Sequence, residues 1–240
     1  MSLRQTLETR ARRLVGAVIG PALQRANIST LPVRRIALLR ELAIEVVIDV
    51  GANIGQYAAQ TRLYGYRGAI ASYEPLSTAY AELSTRASAD PQWKTHRFGL
   101  GDHAGRATLH VAGNSQSSSL LEMLPRHVAS APESQTVGHE EVELVTLKDV
   151  LTPARTFVKI DAQGSERAIL EGAGDALDRV LGLELELSLV PLYAGETLFA
   201  EMTSWLATRG FELRTVTSGL ADRTTGALLQ VDALFARTGS

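Results

Sequence analysis

From residue 46 onward, short apolar runs alternate with segments whose apolar side chains recur every three or four positions. The first pattern predicts buried strands, the second helices packed on them. VVIDV (46–50), GAIASYE (68–74), WKTHRFGLG (93–101), TFVKID (156–161) and GLELELS (182–188) read as strands. QYAAQTRLYGY, LSTAYAELSTRAS, SERAILEGA and TLFAEMTSWLATRG read as helices, the first ending near Gly65. The rhythm breaks twice. RATLHVA and EVELVTL look like strands with only a polar loop, roughly 113–140, between them. FELRTVTS and ALLQVDALFAR are separated by a short turn-like stretch, which predicts an antiparallel pair. Alternating strands and helices predict an α/β, doubly wound, mostly parallel sheet with helices on both faces and a terminal antiparallel hairpin. Residues 3–43 carry a helical pattern, interrupted near Gly20-Pro21 and Leu31-Pro32, and are expected to form a helical arm (1–43) ahead of the domain at 44–240.

Charge divides the chain at the same place. Residues 1–40 hold eight arginines and one acid, Glu8, a balance of +7, which leaves the remaining residues at −9. A basic arm on an acidic body suggests a surface for the arm to touch. Its apolar positions and arginines could rest on anionic lipid as an interfacial helix; a cover over the sheet or a contact between copies of the chain is the plainer reading. The apolar run Leu14–Leu23 is too short to span a bilayer, and no cleavage pattern follows it, so a cytoplasmic protein, at most peripheral to a membrane, is expected. The chain has no cysteine. That excludes a disulfide scaffold, a thiolate zinc site and a cysteine nucleophile. The histidine spacing offers no zinc motif, and no nucleic-acid partner is expected.

The turn after the first strand, VIDVGANIGQY, carries the candidate chemistry. Gly51 and Gly55 let a backbone turn tightly and let a ligand lie against main-chain atoms. Asn53 tolerates unusual backbone angles and offers both a donor and an acceptor. A nicotinamide dinucleotide site wants G-x-G-x-x-G; counted from Gly51, the later glycines are replaced by Asn53 and Gln56. A Walker phosphate loop fails for want of G-K-[ST]. What remains is a G-x-N-x-G turn after Asp49, with a second acid, Glu74, at the end of the next strand, where a carboxylate can accept both hydroxyls of a ribose. Asp102, after the third strand, stands where an adenine amino group could be received. Together these suit a nucleoside without a diphosphate, S-adenosylmethionine. The candidate cofactor-binding residues are Asp49, Gly51, Ala52, Asn53, Gly55, Glu74, Pro75, Gly101 and Asp102. Asp49 could equally serve by hydrogen-bonding and shaping the loop.

VIDVGANIGQY, YEP, FGLGDHAG, VTLKDVL, FVKIDAQGSERAILEGA and LLQVDALF occur in the order seen in the FkbM family of S-adenosylmethionine-dependent methyltransferases, which the chain resembles over residues 44–237. VKIDAQGSE stands where that family usually has K-I-D-x-E-G-x-E, so Gln163 replaces a glutamate. The resemblance implies a class I methyltransferase fold with a seven-stranded sheet, and O-methylation of a hydroxyl on a sugar, lipid or natural product.

An aliphatic hydroxyl scarcely ionises at neutral pH, so a base or a cation must assist its proton's departure. Asp161, at the end of the fourth strand, is the first candidate for either role; it could hold a divalent cation such as Mg²⁺, or simply cap the following helix. Lys159 points to the same side as Asp161 if the strand is regular. Glu184 and Glu186 share one face of a leucine-rich strand and are costly unless paired, with Glu186 the better site candidate. His139 and His127 lie in the polar loop, which could fold over the acceptor; Ser117–Ser119 read as solvated loop. A silent nucleotide-binding scaffold and, less well supported by the loop, a nicotinamide-dependent oxidoreductase stand as alternatives.

Overall fold

The computed structural model describes residues 30–239. Helix α1 (Leu31–Glu41) leads into β1 (Val46–Val50), α2 (Gln56–Leu63), β2 (Ala69–Tyr73), α3 (Ser77–Ala87) and β3 (Trp93–His96). β4 (Gly99–Gly101), β5 (Gly105–Ala112), α4 (Pro125–Ser130) and β6 (Thr136–Thr146) follow. α5 (Leu147–Val150), β7 (Thr156–Ile160), α6 (Glu166–Glu171), β8 (Val180–Ser188), α7 (Phe199–Thr208), β9 (Phe211–Ser218) and β10 (Gln230–Arg237) complete the order.

Seven strands form one sheet in the order β3-β2-β1-β7-β8-β10-β9. The first five run parallel. β10 pairs antiparallel with both β8 and β9, so the expected terminal hairpin is present and inserts its second strand inside its first. β1 and β7 lie at the centre and are buried on both faces, which is why VVIDV and TFVKI read as continuous apolar runs rather than alternating ones. One face packs Ile169, Leu170, Met202 and Leu206 against the sheet, and the other packs Leu39, Ala58, Leu83 and Trp93.

Two expectations change. WKTHRFGLG is not one strand. β3 ends at His96, and β4 departs into a second, three-stranded sheet ordered β4-β6-β5. A Cβ on Gly99 would stand 2.6 Å from Leu144 Cδ2, so the glycine lets β4 lie close against β6. The polar loop is also shorter than expected. β6 begins at Thr136, and α4 interrupts what precedes it. Gly138 and the polar run around it hide that strand from a periodicity argument, because both of its faces are wet there.

Helix α1 lies within the segment 1–43 expected to form a helical arm. α1 opens with Pro32 in its first turn and buries Val33, Ile36 and Leu39, an i, i+3, i+6 stripe, against the sheet. Arg35 joins that buried side and forms a bidentate pair with Glu184 of β8, Nε–Oε2 2.6 Å and Nη2–Oε1 2.5 Å. It also stacks over the Tyr57 ring at 4.1 Å. Burial alone would lower the guanidinium's pKa, but Glu184, Tyr57 and Asp232 together more than offset it and the net shift is upward. The apolar side of α1 is therefore committed to the core and is not available to a lipid surface; the rest of the proposed membrane-contacting arm, 1–29, lies outside the described residues. Among the described residues no helix is long and apolar enough to cross a membrane.

Removing one partner of a buried pair strands the other charge. Glu184→Gln is expected to lower stability by about 3 kcal/mol or more, read from urea unfolding. The double change Arg35→Met, Glu184→Leu should recover most of that loss.

Candidate active site

The carboxyl ends of β1, β2, β7 and β8 meet at one edge of the sheet. At its centre lies a buried ammonium. Lys159 Nζ stands 3.2 Å from Asp49 Oδ1, 3.7 Å from Asp161 Oδ2, and donates to the carbonyls of Val50 (3.1 Å) and Gly51 (2.9 Å). Burial would depress its pKa, but Asp49 and Asp161 outweigh that and raise it, so it stays charged. Asp49 is fully buried; its Oδ2 accepts from Ser72 Oγ (2.9 Å), which in turn accepts from Trp93 Nε1 (2.9 Å). The chain Trp93–Ser72–Asp49–Lys159 thus fixes the turn after β1 from beneath.

That turn is left-handed at Gly51 (φ +66°), Asn53 (φ +46°) and Gly55 (φ +85°). Gly51 has no alternative, because a Cβ there would fall 1.8 Å from the carbonyl oxygen of Asp161. From the side, Glu74 closes the turn. Its Oε2 accepts from the Asn53 amide and its Oε1 from the Leu76 amide, each at 2.8 Å. Burial pushes the Glu74 carboxyl up to about 7, against the pull of those two hydrogen bonds.

Two cavities adjoin the turn. The smaller is a narrow cleft with a cavity volume of about 60 Å³. Glu74, Pro75, Tyr73, Leu100, Leu109 and Leu120 line it, together with serines of the 115–119 loop. The larger has a cavity volume of about 640 Å³ and is walled by Ala52, Gln60, Asn114, Lys159, Gln163, Glu186, Gln230 and Asp232, among others. Gly51, Asn53, Gln116 and Asp161 face both, so they form the partition.

Beyond β7 the chain turns through Gln163 (φ +53°) and Gly164 (φ +101°). Glu166 holds this turn by accepting from the amides of Ala162 (2.9 Å) and Gly164 (3.1 Å), and burial raises its carboxyl to about 7. Glu186 lies directly opposite Asp232 across β8 and β10. Burial first, then Asp161 and Asp232, raise the Glu186 carboxyl well above its ordinary range; burial and Glu184 raise Asp232 to about 6. Glu184, the other acid of β8, is spent on Arg35.

The structure therefore brings Gly51, Asn53, Glu74, Pro75 and Asp161 to the smaller cavity, and Ala52 and Glu186 to the larger. It places others elsewhere. Asp49 sits behind the turn and acts through Lys159. Gly55 is needed for packing, since a Cβ would meet Trp93 and Leu83 at 2.9 Å. Gly101 and Asp102 line neither cavity; Asp102 is exposed and pairs with His103 at 2.6 Å. His139 lies in β6, exposed, with its ring 4.9 Å from His110 of β5, and does not reach the site. His127, by contrast, does reach the larger cavity's wall, where it is buried edge-on against Tyr193 at 5.0 Å. Sequence reasoning missed Tyr193, Gln116, Glu166 and Asp232. Only Glu166 had a local signal, the acid closing the K-I-D-x-x-G-x-E run.

The residues at the smaller cavity fit the expected cofactor. Apolar side chains offer a slot for a purine, the Glu74 oxygens retain lone pairs beyond the two they have used, and nothing in the turn is built to bind a diphosphate. Among the described residues no comparable set exists for a cation. Asp161 Oδ1 accepts from an amide and Oδ2 faces Lys159, and among the described residues no cluster of three or more His, Asp or Glu could hold a metal.

A sheet of this strand order, with a glycine turn after β1 and an acid ending β2, defines a class I S-adenosylmethionine-dependent methyltransferase. Residues 49–213 match the methyltransferase FkbM domain, and the chain belongs to that family. Solved structures similar to it include an rRNA methylase from Streptococcus thermophilus (13% identity, 87% of this chain and 98% of that one, TM-score 0.48). Others are magnesium protoporphyrin IX methyltransferase from Synechocystis with bound S-adenosylmethionine (11%, 84% and 75%, 0.46) and precorrin-6y C5,15-methyltransferase from Geobacter metallireducens (15%, 85% and 86%, 0.42). No curated protein matches the chain.

Gly51→Ala forces a Cβ against backbone in a left-handed turn. The variant is expected to lose S-adenosylhomocysteine binding by calorimetry, at least tenfold, and to melt several degrees lower.

Proposed function

We propose that this methyltransferase alkylates a hydroxyl of a sugar, glycolipid or natural product held in the larger cavity, with Asp161 as the general base. The observation that carries this reading is the position of Asp161 in the partition between the two cavities, where a group can touch both a donor and an acceptor. The larger cavity supports a polyhydroxylated acceptor. Its wall is rich in amides and carboxylates (Gln60, Asn114, Gln163, Gln230, Glu186, Asp232) that accept from and donate to hydroxyls.

S-adenosylmethionine, when bound, supplies an activated methyl group, so the protein's task is mainly positioning. Glu74 would accept the ribose hydroxyls while Tyr73, Leu100 and Leu109 enclose the base. Asp161 Oδ2 carries no hydrogen bond from the described residues and is the oxygen able to take the acceptor's proton. Lys159, 3.7 Å away, keeps that carboxylate oriented. Glu186, half-buried and paired with amide donors, is the second proton-holding group of the site.

Asp161→Asn is expected to slow S-adenosylhomocysteine release by ~10²–10⁴-fold against a panel of methyl hexopyranosides and hydroxylated extracts, products being read as a +CH₂ mass shift. Full turnover in that variant would exclude Asp161 as base. Donor affinity should also depend on pH. Ribose hydroxyls donate to the ionised form of Glu74, whose carboxyl titrates at about 7. Binding therefore strengthens as pH rises through 7 and levels off above 8. Glu74→Gln should bind weakly at every pH and abolish the slope, as calorimetry from pH 6 to 8.5 would reveal.

A further inference from the structure

Gln163 occupies the position where this chain departs from the family's usual glutamate, and its side chain makes contacts that a glutamate could not. Oε1 accepts from the Tyr193 hydroxyl at 2.6 Å. Nε2 donates one hydrogen to Asp161 Oδ1 at 2.7 Å and the other to Glu186 Oε2. The amide orientation follows from chemistry, because the reversed group would set its oxygen between two carboxylates. The backbone is pinned as well. Ser119 Oγ donates to the Gln163 carbonyl at 2.7 Å, and a Cβ on Gly164 would press on Leu121, Tyr193 and Glu196. Tyr193 itself is 1% exposed.

We propose that Gln163, anchored by Tyr193, is a positioning residue for methyl transfer: its two amide hydrogens let Asp161 and Glu186 face the acceptor together, and by occupying Asp161 Oδ1 they leave Oδ2 as the proton-accepting oxygen. The proposal rests on the reading of Asp161 as base. The charge environment makes the amide necessary. Asp161 faces Lys159 on its own strand, Glu166 from α6, Glu186 from β8, Asp232 from β10 and the Tyr193 hydroxyl, with Asp49 beyond Lys159. Lys159 is the one cation in that set, and Asp49 already shares it. A third carboxylate at position 163 has no hydrogen to give when ionised, and only one when protonated, where the amide gives two.

Gln163→Glu tests this without a change of shape. With the full chain carrying [δ-¹³C]glutamate, the added carboxyl is expected to titrate above pH 6. Titration in the ordinary range near ~4.3 would overturn the proposal, with no acceptor required. In turnover on a hydroxylated extract that the natural chain methylates, Gln163→Glu should be at least tenfold slower than the natural chain at pH 9, where its carboxyl has no hydrogen to give, and within threefold of it at pH 6, where it regains one, with donor affinity unchanged. A deficit equal at both pH values would mean a structural role only and overturn the proposal. Should Gln163→Glu not fold at pH 7, Tyr193→Phe decides: kcat is expected to fall about fivefold with KM unchanged, and unaltered kcat overturns the proposal. Undiminished turnover by Asp161→Asn would instead sink the base assignment, so the two failures are distinguishable.

Discussion

Everything at the site is suspended from one buried ammonium. Lys159 is placed where β1 and β7 end side by side, and four oxygens converge on it: two carboxylates and two main-chain carbonyls. A desolvated ammonium is tolerable only with such a shell, and the shell in turn can hold its geometry only around the charge. The carbonyls of Val50 and Gly51 are drawn inward, which orients the turn's opposite side toward the cavities. Asp49, invisible to any ligand, belongs to this device, with Ser72 and Trp93 behind it.

The same logic explains how the chain distributes the other acids near the site. Glu184 and Glu186 stand two residues apart on β8 and face the same way, yet they meet different fates. Glu184 reaches Arg35 and becomes part of the fold; Glu186 reaches only amides and stays chemically available. Glu74 and Glu166 each clasp a turn through backbone amides at two adjoining strand ends. Carboxylates therefore hold both the β1 and β7 turns, and burial leaves them titrating near neutrality rather than in the acid range. Order in these turns and proton chemistry come from the same groups.

The three-stranded sheet serves the site from outside. β5 and β6 carry the connecting segment 113–135 back over the sheet edge, and Ser119 fastens it to the Gln163 turn. The segment contributes Ser115, Gln116 and Ser118 to the smaller cavity and Asn114 and Ser117 to the larger. The serine-rich stretch that reads as solvated loop in the sequence is thus partly buried wall.

Periodicity and turn chemistry by themselves determined the alternating strands and helices, the antiparallel ending, the tight turn after β1 and the acid closing β2, because each depends on residues adjacent in the chain. The wrong glycine spacing for a dinucleotide was legible for the same reason. Tertiary structure alone decided which acids are free. Asp49 and Asp161 end neighbouring strands with similar local patterns, but only their distances from Lys159 and from the cavities separate a support from a candidate base. His139 looked like a loop residue until β6 paired it with His110, and Tyr193, thirty positions beyond Gln163, gave no local sign of the contact. Local backbone preference is written in short stretches of sequence, whereas the partner of a buried charge is chosen by chain segments that meet only after folding.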